Sequence, residues 1–175
     1  MSETIVRQGP SSPGSTVLVL DPSGAASHGE LPATWRELAN RWTVVWCRLP
    51  ADDSAWQLAE YMQDVQGLVD IVASGPAAAA AMALGDRHHE VIRSVLLVDP
   101  AAGETPVDPA TAKVADELWL RREAEHVDAL AEHGVQVRVI AHSFEGDRDR
   151  RDPPLPLGHP DVVKVLRAQL VSQSA

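Results

Sequence analysis

A serine hydroxyl becomes a nucleophile when a neighbouring base takes its proton, and a histidine held by a carboxylate is the usual base. The stretch VDIVASGPAAAAAMAL, Val69 to Leu84, places Ser74 where a buried apolar run meets a tight turn and an alanine-rich helix. Ser74 is therefore the first residue to weigh for chemistry. Other reactive or charged side chains gather at the ends of apolar runs in the same way: Asp21, Ser23 and Gly24, then Arg48, then Asp99, then the segment His142 to Asp147. Each also fits a plainer role as a helix cap or a loop hydrogen bonder. The histidines have no spacing of the H-E-x-x-H kind, and Cys47 stands alone, which excludes an internal disulfide and a cysteine-rich metal site. Rossmann and Walker glycine patterns are absent as well, so the sequence predicts no cofactor and no metal.

The elements that must carry these residues follow from periodicity. STVLVLD, TVVWCRLP, LVDIVA, SVLLVDP and VQVRVIA are short runs rich in β-branched residues, and stretches with helical spacing separate them. Pro32 marks one helix start, Ser54 is a candidate N-cap with Gly67 closing its helix, and Pro109 to Gly134 reads as one charged crossover helix. Val162, Val163, Leu166 and Leu170 share a face of a last helix. Continuous apolar strands between helices are what a parallel sheet covered on both sides produces. The expectation is an α/β fold, a three-layer α/β/α sandwich with a mainly parallel sheet, as a single domain over residues 16–170. Residues 1–15 and 171–175 are expected to be flexible termini.

Composition narrows the partners. With 45% hydrophobic residues in 175, the chain can bury a sizeable core. Its 15 basic residues against 25 acidic ones form no stripe that would track a phosphate backbone, so nucleic acid is not an expected partner. The start, MSETIVRQGPSSPGS, has neither the basic region nor the apolar run of a signal peptide, and no stretch has the length and apolarity of a membrane span. A cytoplasmic protein is expected.

From about Val17 to Leu170 the chain resembles the α/β-hydrolase family, particularly its small esterase and thioesterase members. The resemblance rests on the loop DPSGAASHG after the first strand, Trp35 with its helix, the elbow VDIVASGPAAAAAMAL, the segment HHEVIRSVLLVDPAAG, and a late histidine in LGHPDVVKVLRAQL. It implies that the five strands lie in the order 2-1-3-4-5, without the family's two leading antiparallel strands. The same order describes flavodoxin-like folds.

The family carries G-x-S-x-G at the elbow. The resemblance aligns Ala73 with the first glycine, Gly75 with the nucleophile, Pro76 with the next residue and Ala77 with the last glycine. Ala73 and Ala77 stay small, and glycine suits a strained turn, but Gly75 offers no hydroxyl to form a covalent intermediate. Pro76 has no N–H for the oxyanion, a loss worth roughly 3 kcal/mol of transition-state stabilisation. The reading is a turn kept for shape: an α/β-hydrolase-like protein without catalytic activity that binds a protein or a small apolar or acyl ligand. A homodimer is expected to cover the surface that missing strands and an absent lid leave, through an edge strand or the helix carrying Trp119. The alternative is a serine hydrolase, an esterase or thioesterase, with a shifted triad of Ser74, Asp147 and His159. Asp149 and Asp152 compete with Asp147 for the acid's place. The plainer role of Ser74 is to cap the helix that follows it.

Overall fold

The computed structural model describes residues 5–10, 15–22, 30–48, 54–103, 107–143 and 153–174. Six strands form one sheet: β1 (Ile5–Gln8), β2 (Thr16–Asp21), β3 (Thr43–Arg48), β4 (Val69–Ser74), β5 (Ile92–Val98) and β6 (Gln136–Ala141). Their order is β1-β3-β2-β4-β5-β6. The five strands expected from the sequence take the expected order, and β4 lies parallel to both its neighbours, β2 and β5. Every residue of β2 and β4 is buried, which accounts for their apolar runs Val17–Leu20 and Ile71–Ala73.

The edge beyond β3 corrects the expectation of loose first residues. Ile5–Gln8 pairs antiparallel with β3, Val6 opposite Trp46, so one antiparallel strand is present where none was expected. A run of four residues with one buried side chain, Val6, is too short for period-two patterning to reveal. The last residues depart in the same direction, because the final helix continues to Ser174.

Helices cover both faces. On one side lie α1 (Arg36–Ala39), entered through the 3₁₀ turn Ala33–Trp35, and α6 (Pro160–Ser174). They bury Trp35, Leu38, Val162, Leu166 and Leu170 against Val19, Trp46, Val72 and Leu96. Trp35 meets Trp46 edge-on with ring centroids 4.9 Å apart, a geometry that the ring quadrupoles favour. On the other side α2 (Ser54–Asp64), α3 (Ala78–Arg87) and α5 (Ala124–Glu132) pack with Leu18, Leu20, Ile71, Ala73 and Leu97. The expected single crossover helix is broken at Glu123, so α4 (Ala112–Arg122) and α5 are separate. No glycine or proline marks that break. Among the described residues no helix is long and apolar enough to cross a membrane.

At the end of the sheet away from the candidate site, the buried Asp70 receives Arg93 through Nε and Nη2, at 3.2 and 2.6 Å, and the Ser94 hydroxyl at 2.5 Å. These donors satisfy a carboxylate that would otherwise be costly to bury. Cys47 is buried in β3, and loss of water around the thiolate pushes its pKa up from 9.0 to about 12. Between those values the unfolded chain sheds the thiol proton while the native one keeps it, so stability falls as pH rises, by up to about 1.4 kcal/mol per pH unit. Below pH 9 this contribution is constant. Urea unfolding from pH 8 to 11 should show that fall, and Cys47→Ala should flatten it. The residual slope belongs to groups such as Tyr61, which burial also shifts upward.

Candidate functional site

β4 reaches Ser74 in an extended conformation (φ −123°, ψ 149°). Gly75 then turns the chain at φ +45° into the 3₁₀ turn Gly75–Ala77, and α3 follows. A positive φ is disfavoured for any residue with a Cβ. The strained residue of this strand-to-helix turn is therefore Gly75, one place beyond the serine. Ala73 and Ala77, with 0% and 3% exposure, allow the strand and helix to approach.

The space outside Gly75 is already filled. A Cβ added there would lie 2.6 Å from the Ala102 carbonyl oxygen and 2.9 Å from Pro154 Cγ, closer than van der Waals contact allows. Pro154 is held in that place by its neighbour. The Leu155 N–H donates to Asp99 Oδ2 at 2.8 Å, and Asp99 also accepts from the Ser143 N–H at 2.8 Å and the Ser143 hydroxyl at 2.7 Å. Asp99 itself adopts φ +45° at the end of β5. Three donors around one buried carboxylate compensate for that backbone strain and for its burial.

Ser74 is 2% exposed, and its hydroxyl makes no cap bond to the helix. Pro76 removes one of the two N–H groups that an N-cap oxygen would accept from, leaving that of Ala77. For a nucleophile at position 75, Pro76 would supply no backbone N–H to the oxyanion, whereas Gly75 keeps the N–H that follows Ser74. His159 lies just before α6, in a segment tied to the opposite helix start by Trp35 Nε1–H to the Leu157 carbonyl (2.7 Å) and the Thr34 hydroxyl to the Gly158 carbonyl (2.7 Å). Its Nδ1 accepts the Asp161 N–H at 3.2 Å. A catalytic base needs the opposite arrangement, with Nδ1–H donated to an acid and Nε2 open to take a proton. Ser23, Gly24 and Asp147 lie outside the described residues, as do Asp149 and Asp152.

A different histidine has the acid partner. His142 Nδ1 stands 2.5 Å from Asp116 Oδ2, and Asp116, 1% exposed, also accepts the Ala101 N–H at 2.9 Å. One ligand atom from each of Asp99, Asp116 and His142 lies within 4.8 Å of the others, and these residue types can bind a divalent cation. The donors around both carboxylates are protein groups, however, so metal binding would compete with bonds that hold β5, β6 and α4 together. The cluster is best understood as that tie. Asp116 escaped the sequence reading because it resembles a solvated helix residue. The faint signal was its stripe, since it sits four residues after the buried Ala112 and three before the half-buried Trp119.

A mainly parallel sheet with helices on both faces and a sharp turn from its central strand into a helix define an α/β-hydrolase-like fold. The solved structures it resembles include Est1E from Butyrivibrio proteoclasticus, at 11% identity and a TM-score of 0.52 over 98% of this chain and 93% of that one. A serine hydrolase involved in carbazole degradation, the CarC enzyme, matches at 14% identity and 0.52 over 97% and 93%. No protein-family model and no curated protein matches the chain.

The filled space at Gly75 has a measurable consequence. Gly75→Ala should destabilise the protein by about 3 kcal/mol, combining positive-φ strain with overpacking. Gly75→Ser should cost at least as much. Denaturant midpoints within error of the wild type for either variant would contradict the described packing.

Proposed function

We propose that this chain is an α/β-hydrolase-fold protein that has given up acyl transfer and acts by binding a small ligand or a protein partner at the carboxyl ends of its strands. One observation carries the reading: the volume that a nucleophile's side chain would need at Gly75 is taken by Ala102 and Pro154. Pro76 without its N–H and His159 with Nδ1 engaged by α6 support it. Covalent catalysis needs a hydroxyl, a base and an oxyanion donor in register, and removing a member of such a set costs orders of magnitude in rate. A homodimer is proposed on the face of α4 that exposes Val114 and Leu118, since Trp119 packs inward against the core.

The alternative, a serine hydrolase using Ser74, Asp147 and His159, draws support from the fold likeness to an esterase and a serine hydrolase. A fluorophosphonate probe followed by intact mass and peptide mapping separates the two. Under the binding reading Ser74 stays unlabelled and short acyl esters and thioesters turn over at the buffer rate. Turnover that Ser74→Ala and His159→Ala both abolish would replace the binding reading with the shifted triad.

A further inference from the structure

Arg48 is the last residue of β3, and its partner across the parallel ladder is Asp21 at the end of β2. Side chains alternate along a strand, so Arg48 shares a face with Trp46, whose indole N–H donates to Asp21 Oδ2 at 3.0 Å. The residue is partly exposed as a whole, yet Nε and Nη2 of its guanidinium are fully buried and have no hydrogen-bond partner among the described residues. That is a costly arrangement. A guanidinium does not lose its proton to escape burial, and each buried donor left unmatched forfeits its hydration. Asp70 shows how the same fold treats an acid at the other end of the sheet, surrounding it with Arg93 and Ser94.

The identity of the two atoms gives the chemistry of what is missing. Nε–H and the nearer Nη2–H project in parallel from one edge of the guanidinium, at the spacing of the two oxygens of a carboxylate. We propose that this edge of Arg48 receives the carboxylate of a small monocarboxylic ligand at the carboxyl end of the sheet, where ligands of open α/β sheets bind. A single negative charge fits better than a phosphate dianion. Asp21 stands beside Arg48 in the register, and the chain carries a net charge of -10, so a second ligand charge would meet repulsion with no second cation assigned to it. The proposal deepens the binding reading by naming the ligand's headgroup, and it does not depend on lost catalysis. Ester turnover by the wild type would end that reading and leave the following test intact.

The probe is sodium propionate, with sodium chloride and sodium phosphate at matched ionic strength. Thermal unfolding and the Arg48 Nε–H resonance are followed in the wild type, Arg48→Lys and Arg48→Met. Propionate should raise the wild-type Tm saturably and shift the Nε–H signal, while chloride and phosphate do neither. Arg48→Lys, which keeps the charge and loses the paired donors, should bind at least about tenfold more weakly. Arg48→Met should unfold at a higher temperature than the ligand-free wild type, because it removes two buried unmatched donors, and it should not respond to propionate. No wild-type response, an equal response in Arg48→Met, or a phosphate response as large as that to propionate would each overturn the assignment. So would propionate binding that appears only once Asp52 and Asp53 are both changed to Asn, since the carboxylate that Arg48 takes would then belong to the chain itself.

Discussion

The carboxylate of Asp99 fixes the surface above the sheet, because its three donors come from both ends of the segment between β6 and α6. Ser143 leaves the sheet and Leu155 returns toward it, and one side chain holds both. Leu155 then sets Pro154 against Gly75. The state of the elbow thus follows from a bond made at the neighbouring strand. A carboxylate held by two backbone N–H groups and a hydroxyl is well solvated by the protein, which is how an aspartate can sit buried here.

The strands were legible because parallel sheets demand uninterrupted apolar runs, and β2 to β6 each contain one. The turn was legible too, since glycine and proline have backbone properties that no neighbour can change, and the absence of a hydroxyl at Gly75 needs no coordinates. Other features lie beyond a linear reading for definite reasons. β1 buries a single valine. The break between α4 and α5 has no residue type to announce it. Pro154 over Gly75, Asp116 with His142, and the unmatched edge of Arg48 all arise from contacts between residues distant in sequence. Arg48 could be placed at a strand end from the sequence alone, but whether its donors were met could not.

Two histidines divide between them the features that one catalytic histidine would combine. His159 stands before the last helix and uses Nδ1 to hold that helix's first turn. His142 has the buried carboxylate at Nδ1, but it sits on another loop, next to a serine already committed to Asp99. Residue types alone would have favoured a working set here, since serine, histidine and aspartate are all present at one end of the sheet. Which nitrogen each ring commits distinguishes the two histidines, since a base is defined by its open nitrogen and not by proximity alone.

The bond from the Trp35 indole to the Leu157 carbonyl joins residues 122 apart in the chain, and this has a consequence for the order of assembly. Leu155, Leu157, Val162, Leu166 and Leu170 complete the core on the face of Trp35 and Trp46. Until they leave the ribosome, at roughly 5 to 20 residues per second, the nascent sheet has no native cover for its two most bulky indoles. Closing so long a loop is also entropically slow. The final helix is thus the element that shields the face carrying Trp35 and Trp46, and that face stays open in a nascent chain until residues 155–170 have been made.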